Sequence, residues 1–421
     1  MQKGLLLSGV RIVEVGSGWV GPWAGQLLAD LGAELIKVES TTIPDFNRGP
    51  GTAVITDTGG SFFCSNYPDG KMGEKVWNRN SLFNAANFGK CDVTLDLTKT
   101  RGLELFMQVI KASDVFFSNM AVGVDKKLGI DYEAMVKVNP EIIYLTSAGF
   151  GRTGPYAKRV AMGNTIDAAS GFFGLRGYGD GDSTAVTPST HCDDIAAMTN
   201  AFSIVAALYH KKKTGKGMYI DTSMVEPSML HIGEAIMDYT MNCRVQQSTG
   251  NRDVSMSPQG CYRCQGEDEW VTLSIKSDKE WQRFVEAMGN PQWAQDENFS
   301  NVLGRLKNQD ELDKLIESWT TNRNKHEVMH LLKEAGIAAG AVLDNSEVYN
   351  DPHLKERGFW VTVDNPDAGV HTYPGRLWKL EDTEMTGRRR APTLGEHNNY
   401  VLQDILGLTA GEVAVLEQEG I

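Results

Sequence analysis

The chain has 421 residues, 41% of them hydrophobic and 23% charged, and a formal net charge of −13. That length exceeds one ordinary core and predicts two domains, one of them split in sequence. The acidic balance excludes phosphate-backbone binding as the main task, so an anionic ligand has to be met by local cations or helix N-termini. Six cysteines (64, 91, 192, 243, 261 and 264) are too few and too scattered for a disulfide framework. The opening MQKGLLLSGVRIVEV has an apolar stretch too short for a signal peptide, and Arg11 interrupts it. No window reaches the roughly 18 apolar residues of a membrane span. A cytoplasmic, reducing location is expected.

Residues 10–15 (VRIVEV) predict a buried strand, 23–31 (WAGQLLADL) a helix stopped by Gly32, and 34–39 (ELIKVE) a second strand. The joining loop, Gly16 to Gly21, is a literal GxGxxG, and Glu39 lies where the ribose-binding acid of a dinucleotide fold would sit. Two readings stay open here. One is an NAD-type site; the other is a tight turn that uses glycine for backbone room, with Glu39 solvated.

Residues 41–90 are rich in Gly, Pro, Asn and Asp and form a long excursion with little periodicity. Alternation resumes with a strand at 93–97 and a helix presenting Leu103, Phe106, Val109 and Ile110 on one face. A strand at 114–118, a helix at 131–138 and a strand at 141–149 follow. Apolar strands alternating with amphipathic helices predict a parallel sheet covered on both faces. In such sheets ligands bind beyond the carboxyl ends of the strands.

A glycine-rich stretch, 160–187, leads to PSTHCDDIAAMTNAFSIVAALYHKKKTGKG at 188–217. This is a polar cluster opening an apolar helix of about five turns. Residues 226–335 predict a smaller α+β domain, with a hairpin from CYRC to WVTLSI and three amphipathic helices. Residues 1–225 and 336–421 are then two parts of a large α/β domain.

Cys261 and Cys264 have metal-type spacing, but no second pair completes four ligands, so no metal site is expected. His191 and Cys192 are sequence neighbours at a helix start and cannot face each other as a dyad. The run HKKKTGKG fits a helix C-terminus, where cations complement the dipole and glycine supplies the cap. Thr190-x-x-Asp193 has the form of a capping box. Asp193 and Asp194 are therefore either helix-capping acids or the site of a nucleophilic carboxylate, ionised at neutral pH.

The order GVRIVEVGSGWVGPWAGQLLADLGAELIKVE, VTLDLTKTRG, IIYLTSAGFGRTGPYA, then an Asp before a helix ending KKKTGKG, resembles the class III CoA-transferases, the formyl-CoA transferase and carnitine CoA-transferase group. DPHLKERGFW and RRRAPTLGEHNNYVLQDILGL are similar to that family's C-terminal motifs, so the resemblance covers nearly the whole chain. It implies a Rossmann-like large domain built from both chain ends, a small α+β domain from the middle, and an interlocked ring-like dimer. It also implies that Asp193 is the catalytic nucleophile, by its spacing back from Thr214-Gly215-Lys216-Gly217, while Asp194 holds a position that varies. CoA-contacting positions of the family fall on Trp19, Val20, Leu95, Thr98, Asn119 and Lys127. The implied activity is reversible transfer of CoA from an acyl-CoA donor to a carboxylic acid, through aspartyl anhydride and thioester intermediates.

Departures from the family narrow the expectation. The His that racemases of the superfamily place about thirty residues before the Asp falls near Met162, which disfavours proton abstraction. Ala161-Met162-Gly163 replaces the usual GYD, and STGNRDVSMSPQG (248–260) replaces a consecutive-glycine loop. An acceptor bulkier than formate or oxalate is expected, an arylsuccinate-type or other medium-sized acid, with succinyl-CoA or acetyl-CoA as donor. Two alternatives stand beside it: an NAD-dependent oxidoreductase using the GxGxxG loop, and a mainly structural subunit of a heteromeric transferase. A homodimer or a heterodimer with a related subunit is expected, without nucleic-acid or membrane partners.

Overall fold

The alternating runs of the first half form six strands, all parallel to their neighbours: β1 (Arg11–Val15), β2 (Glu34–Glu39), β3 (Cys91–Thr94), β4 (Val115–Ser118), β5 (Ile143–Ala148) and β6 (Met218–Ser223). A computed structural model describes residues 4–49, 64–178, 190–381, 383 and 388–421. The strand order is β3-β2-β1-β4-β5-β6, the order of doubly wound dinucleotide folds, which reverses direction between β1 and β4. Helices connect the strands: α1 (Val20–Asp30), α2 (Thr100–Lys111), α3 (Val124–Leu128), α4 (Tyr132–Val138), α5 (Gly163–Ala169) and α6 (His191–Thr214).

Strand residues alternate between two cores, as a period of two requires. Val13, Ile36, Phe116 and Tyr144 pack on one face with Phe106 and Val109 of α2. Ile12, Leu35, Phe117 and Leu145 pack on the other with Leu27 and Leu28 of α1 and Ala197, Ala201, Ile204 and Ala207 of α6. Val401, Leu402, Val413 and Leu416 join the first core, so both chain ends build it.

The chain divides into one compact unit of Met1–Phe172, Pro188–Ile236 and Glu356–Ile421 and another of Phe173–Thr187 and Met237–Lys355. In the second unit β7 (Gln259–Arg263), β8 (Trp270–Ser274) and β9 (Ala338–Ala341) form an antiparallel sheet. Trp281, Phe284, Leu312, Ile316, Val328 and Leu332 supply its helical core. A return to the large domain at residue 336 is not what the backbone does. Ala338–Ala341 satisfies the open edge of β8, which keeps the chain in the second unit to Lys355. The polar N-terminal half of the 41–90 excursion runs past residues that lie outside the described ones, and its end folds into short helices at Val76–Arg79 and Ser81–Ala86.

Candidate active site

The GxGxxG loop closes at the reversal point between β1 and β4. α1 starts at Val20, earlier than the apolar pattern predicts, because Pro22 in a first helical turn has no N–H to lose. Asn119, following β4, grips the loop: its Oδ1 accepts from the Ser17 N–H at 3.0 Å and its Nδ2 donates to the Ser17 carbonyl at 2.8 Å. A Cβ at Gly21 would sit 2.6 Å from Asn119 Oδ1, so that position requires glycine.

Beneath the loop lies a set of fully buried charges. Lys37 Nζ donates to Glu14 Oε1 at 3.1 Å and to the Gly16 carbonyl at 2.7 Å, and pairs with Asp45 Oδ2 at 2.7 Å. Lys90 Nζ reaches Glu14 Oε2 and the Pro22 carbonyl, each at 2.7 Å. Burial would raise the Glu14 carboxyl, but Lys90 and Lys37 together hold it below its ordinary value. Burial lowers the Lys90 ammonium, against the pull of Glu14, to about 8.

Glu39 belongs to the same buried region and overturns the nucleotide reading. Its carboxylate binds Arg48 at 2.8 Å and accepts from the Asp45 N–H at 2.7 Å. Burial acts to raise its carboxyl, yet Arg48 holds it well below the usual carboxylate range. A carboxylate committed in this way is not offered to a ribose, and the oxidoreductase reading loses its acid.

The second feature is the start of α6. Thr190 makes no side-chain bond to the helix backbone, so the capping box expected from sequence is not the cap. Asp167 of α5 caps instead, accepting from the His191 N–H at 3.2 Å and the Cys192 N–H at 3.1 Å. Cys192 is buried and its thiol donates to the Gly163 carbonyl at 3.0 Å. Burial pushes that thiol up, so it stays protonated, while the His191 ring lies 5.4 Å from Phe172.

Asp193 is partly buried beside these groups. Burial pushes its carboxyl up to about 6; a hydrogen bond from Thr190 opposes that rise, and the charges of Asp194 and Asp167 add to it. A Cβ at residue 163 would lie 2.6 Å from Asp193 Oδ2 and 2.6 Å from Thr190, so only glycine lets α5 start this close. Asp194 turns the other way and accepts from Trp19 Nε1 at 2.7 Å, and Trp19 in turn stacks on Trp23 at 6.3 Å. Asp194 thereby joins the α6 start to the glycine loop.

The remaining expected CoA contacts all follow carboxyl ends of the sheet strands, on one edge. Val20 is packed in the cluster around Cys192 and Ala196. Leu95 is buried, and its N–H donates to the Glu39 carbonyl at 2.8 Å. Thr98 is exposed and donates through Oγ1 to Asp96 at 2.6 Å. Lys127 is exposed on α3. Sequence reasoning did not find Asp167, whose signal was only an acid in a short helix more than twenty residues away.

Among the described residues, Cys261 and Cys264 are free thiols and no group of side chains gathers as metal ligands. Among them too, no helix is long and apolar enough to cross a membrane.

Comparison with known proteins bears on this geometry. Residues 7–398 match the sequence model of a family described as CoA-transferase family III. The chain is 29% identical over 415 residues to the succinyl-CoA–D-citramalate CoA-transferase of Chloroflexus aurantiacus, covering 99% of this chain and 98% of that protein. It is also 29% identical to the formyl-CoA:oxalate CoA-transferase of Afipia carboxidovorans, covering 98% and 97%. A CAIB/BAIF family protein from Brucella suis superposes with a TM-score of 0.82 at 26% identity, over 96% of this chain and all 100% of that one.

Proposed function

The chain belongs to CoA-transferase family III and is an enzyme that transfers CoA; from that premise we propose that Asp193 carries the acyl group between acids. The supporting observation is a half-buried carboxylate at a helix start, pushed up to about 6 by burial and by the charges of Asp194 and Asp167, and so still ionised at neutral pH. Such an oxygen is both available and basic.

Asp193 attacks the thioester carbonyl of an acyl-CoA, the C–S bond breaks, and CoA thiolate leaves an aspartyl acyl anhydride. The thiolate attacks the aspartyl carbonyl, which gives an aspartyl-CoA thioester and releases the first acid. The acceptor carboxylate then attacks that thioester, and the freed thiolate takes the acceptor's acyl carbon, restoring Asp193. Each intermediate is activated, so the exchange is reversible without ATP. Backbone N–H groups beside the reacting carbonyls would stabilise the oxyanions.

For the substrates, the name of the citramalate relative favours succinyl-CoA as donor and a dicarboxylic acid of medium size as acceptor. The formyl-CoA:oxalate relative is equally identical, so the case against the smallest acids rests on the missing consecutive-glycine loop. CoA would lie along the carboxyl edge of the sheet, past Trp19, Val20, Leu95, Thr98 and Asn119, with Lys127 toward its phosphates. A dimer, with a second copy or a related subunit, would cover the outer stripe of α6, where Met198, Phe202 and Tyr209 are exposed at helical spacing.

The test is mass spectrometry after mixing with succinyl-CoA and trapping with hydroxylamine or borohydride. Modification localised to Asp193 is expected. Turnover with an unmodified Asp193 would sink the reading. A panel of acids offered to succinyl-CoA and acetyl-CoA then ranks the acceptors.

A further inference from the structure

The reaction sequence above leaves one carboxylate beside Asp193 without a role. Asp167 is 1% exposed, and its two oxygens are taken by the first two N–H groups of α6, groups that a helix leaves without an internal partner. That place at a helix start is where an anion is ordinarily favoured. Asp167 occupies it, so the nucleophile stands one residue further on, beside a second negative charge.

A neutral Asn or Ser would serve as a cap about as well as Asp. What the acid adds is charge. We infer that Asp167 is a positioning residue: it fixes the backbone of the nucleophile's turn and, through its charge, keeps the Asp193 carboxylate electron-rich for attack on a thioester. The inference rests on Asp193 being the nucleophile. A more basic oxygen is a better nucleophile, provided it remains ionised at working pH.

The groups that face Asp193 make this specific. Asp167 comes from α5, while Asp194, Thr190 and Cys192 belong to the same turn. Asp194 is engaged by the neutral indole of Trp19, ahead of α1. From the β5 and β6 side, Phe150, Met224 and Val225 pack in the apolar cluster around Cys192 and Ala196. Burial is the largest influence on the Asp193 carboxyl, and the Asp167 charge acts in the same direction.

The experiment follows Asp193 directly, by carbon-13 NMR of the full chain labelled at aspartate carboxyls, with Asp193→Asn used to assign the signal. Asp193 is expected to titrate near 6 in the wild type. In Asp167→Asn, which keeps one acceptor oxygen for the cap and loses the charge, the midpoint should fall by about one pH unit. The acid limb of the CoA-transfer rate should move with it, while the melting temperature changes by only a few degrees, on the order of a lost hydrogen bond. A folded Asp167→Asn whose Asp193 midpoint stays put overturns the inference. So does a wild-type Asp193 that titrates at or below the ordinary value of about 3.9, a result that needs no variant. If Asp167→Asn does not fold, Asp167→Ser makes the same neutral comparison. Because carboxyl titration requires no turnover, a chain with no CoA-transfer activity would fail the reading of Asp193 as nucleophile and still decide this one.

Discussion

Beneath the glycine loop, Glu14 is fully buried between Lys37 and Lys90; at the start of α6, Asp193 is buried in part and sits among other acids. The two surroundings move the same chemical group in opposite directions. Two ammonium groups hold the Glu14 carboxyl down, whereas burial and two carboxylates push Asp193 up to about 6. The difference matches what each region must do. The lysines also bond the Gly16 and Pro22 carbonyls, so balanced charge ties the glycine loop to the sheet. Unbalanced charge at α6 leaves a carboxylate more basic than usual. On the proposed mechanism, stability and reactivity fall to separate carboxylates within one unit.

The comparison breaks most sharply at its reactive end. Asp193→Ala should lower the CoA-transfer rate on the order of 10³-fold or more, the scale seen when an enzyme loses its nucleophile, as read by steady-state assay with succinyl-CoA. At the balanced end, Glu14→Gln leaves the buried Lys90 ammonium without its carboxylate and Lys37 with Asp45 alone. A loss of about 3–5 kcal/mol, the cost of breaking a buried pair, is expected from urea unfolding at pH 7.

Asp193→Asn sharpens the contrast, because it should stabilise the fold it inactivates. The carboxyl's folded value, about 6, lies above its ordinary 3.8. Ionised Asp193 therefore costs stability above about pH 6, and the cost fades as pH falls toward 4. A gain of about 2 kcal/mol for Asp193→Asn at pH 7, with solvent screening allowed for, should vanish near pH 4. Unfolding curves at the two pH values check it. Trp19→Phe should have the smallest effect. Loss of the bond to Asp194 is worth about 1–2 kcal/mol, read as a several-fold rise in KM for acyl-CoA with little change in kcat.

The sheet was legible in sequence because its strands are short apolar runs between helices of the right period, as in VRIVEV, ELIKVE and IIYLTSAG. Asp193 was proposed from the family resemblance, through its distance from TGKG. Its surroundings were not legible. Glu14, Glu39 and Asp92 sit on strands in positions that a pattern reads as half-exposed, yet their partners Lys90, Arg48 and Gly395 come from outside those strands. Asp167 offered no local mark of a cap, because its helix is not the one it caps. Residues 336–421 were placed with the large domain for a similar reason: the four small residues of Ala338–Ala341 fit many edges, and only pairing decides. Contacts local in sequence were readable, and those made by closing the fold were not.

One property of α6 reaches further than its first turn. Its inner face meets the sheet with Ala197, Ala201, Ile204 and Ala207, while larger side chains such as Phe202 point outward. Methyl groups set a close separation between the helix and the strands, and a packed interior yields little to added volume. The helix then behaves as a stiff lever. A bulky residue at Ala207, about 20 Å along the axis from Asp193, would tilt the reactive end without touching it. The small side chains on the inner face of α6 thus set the position of a carboxylate they never touch.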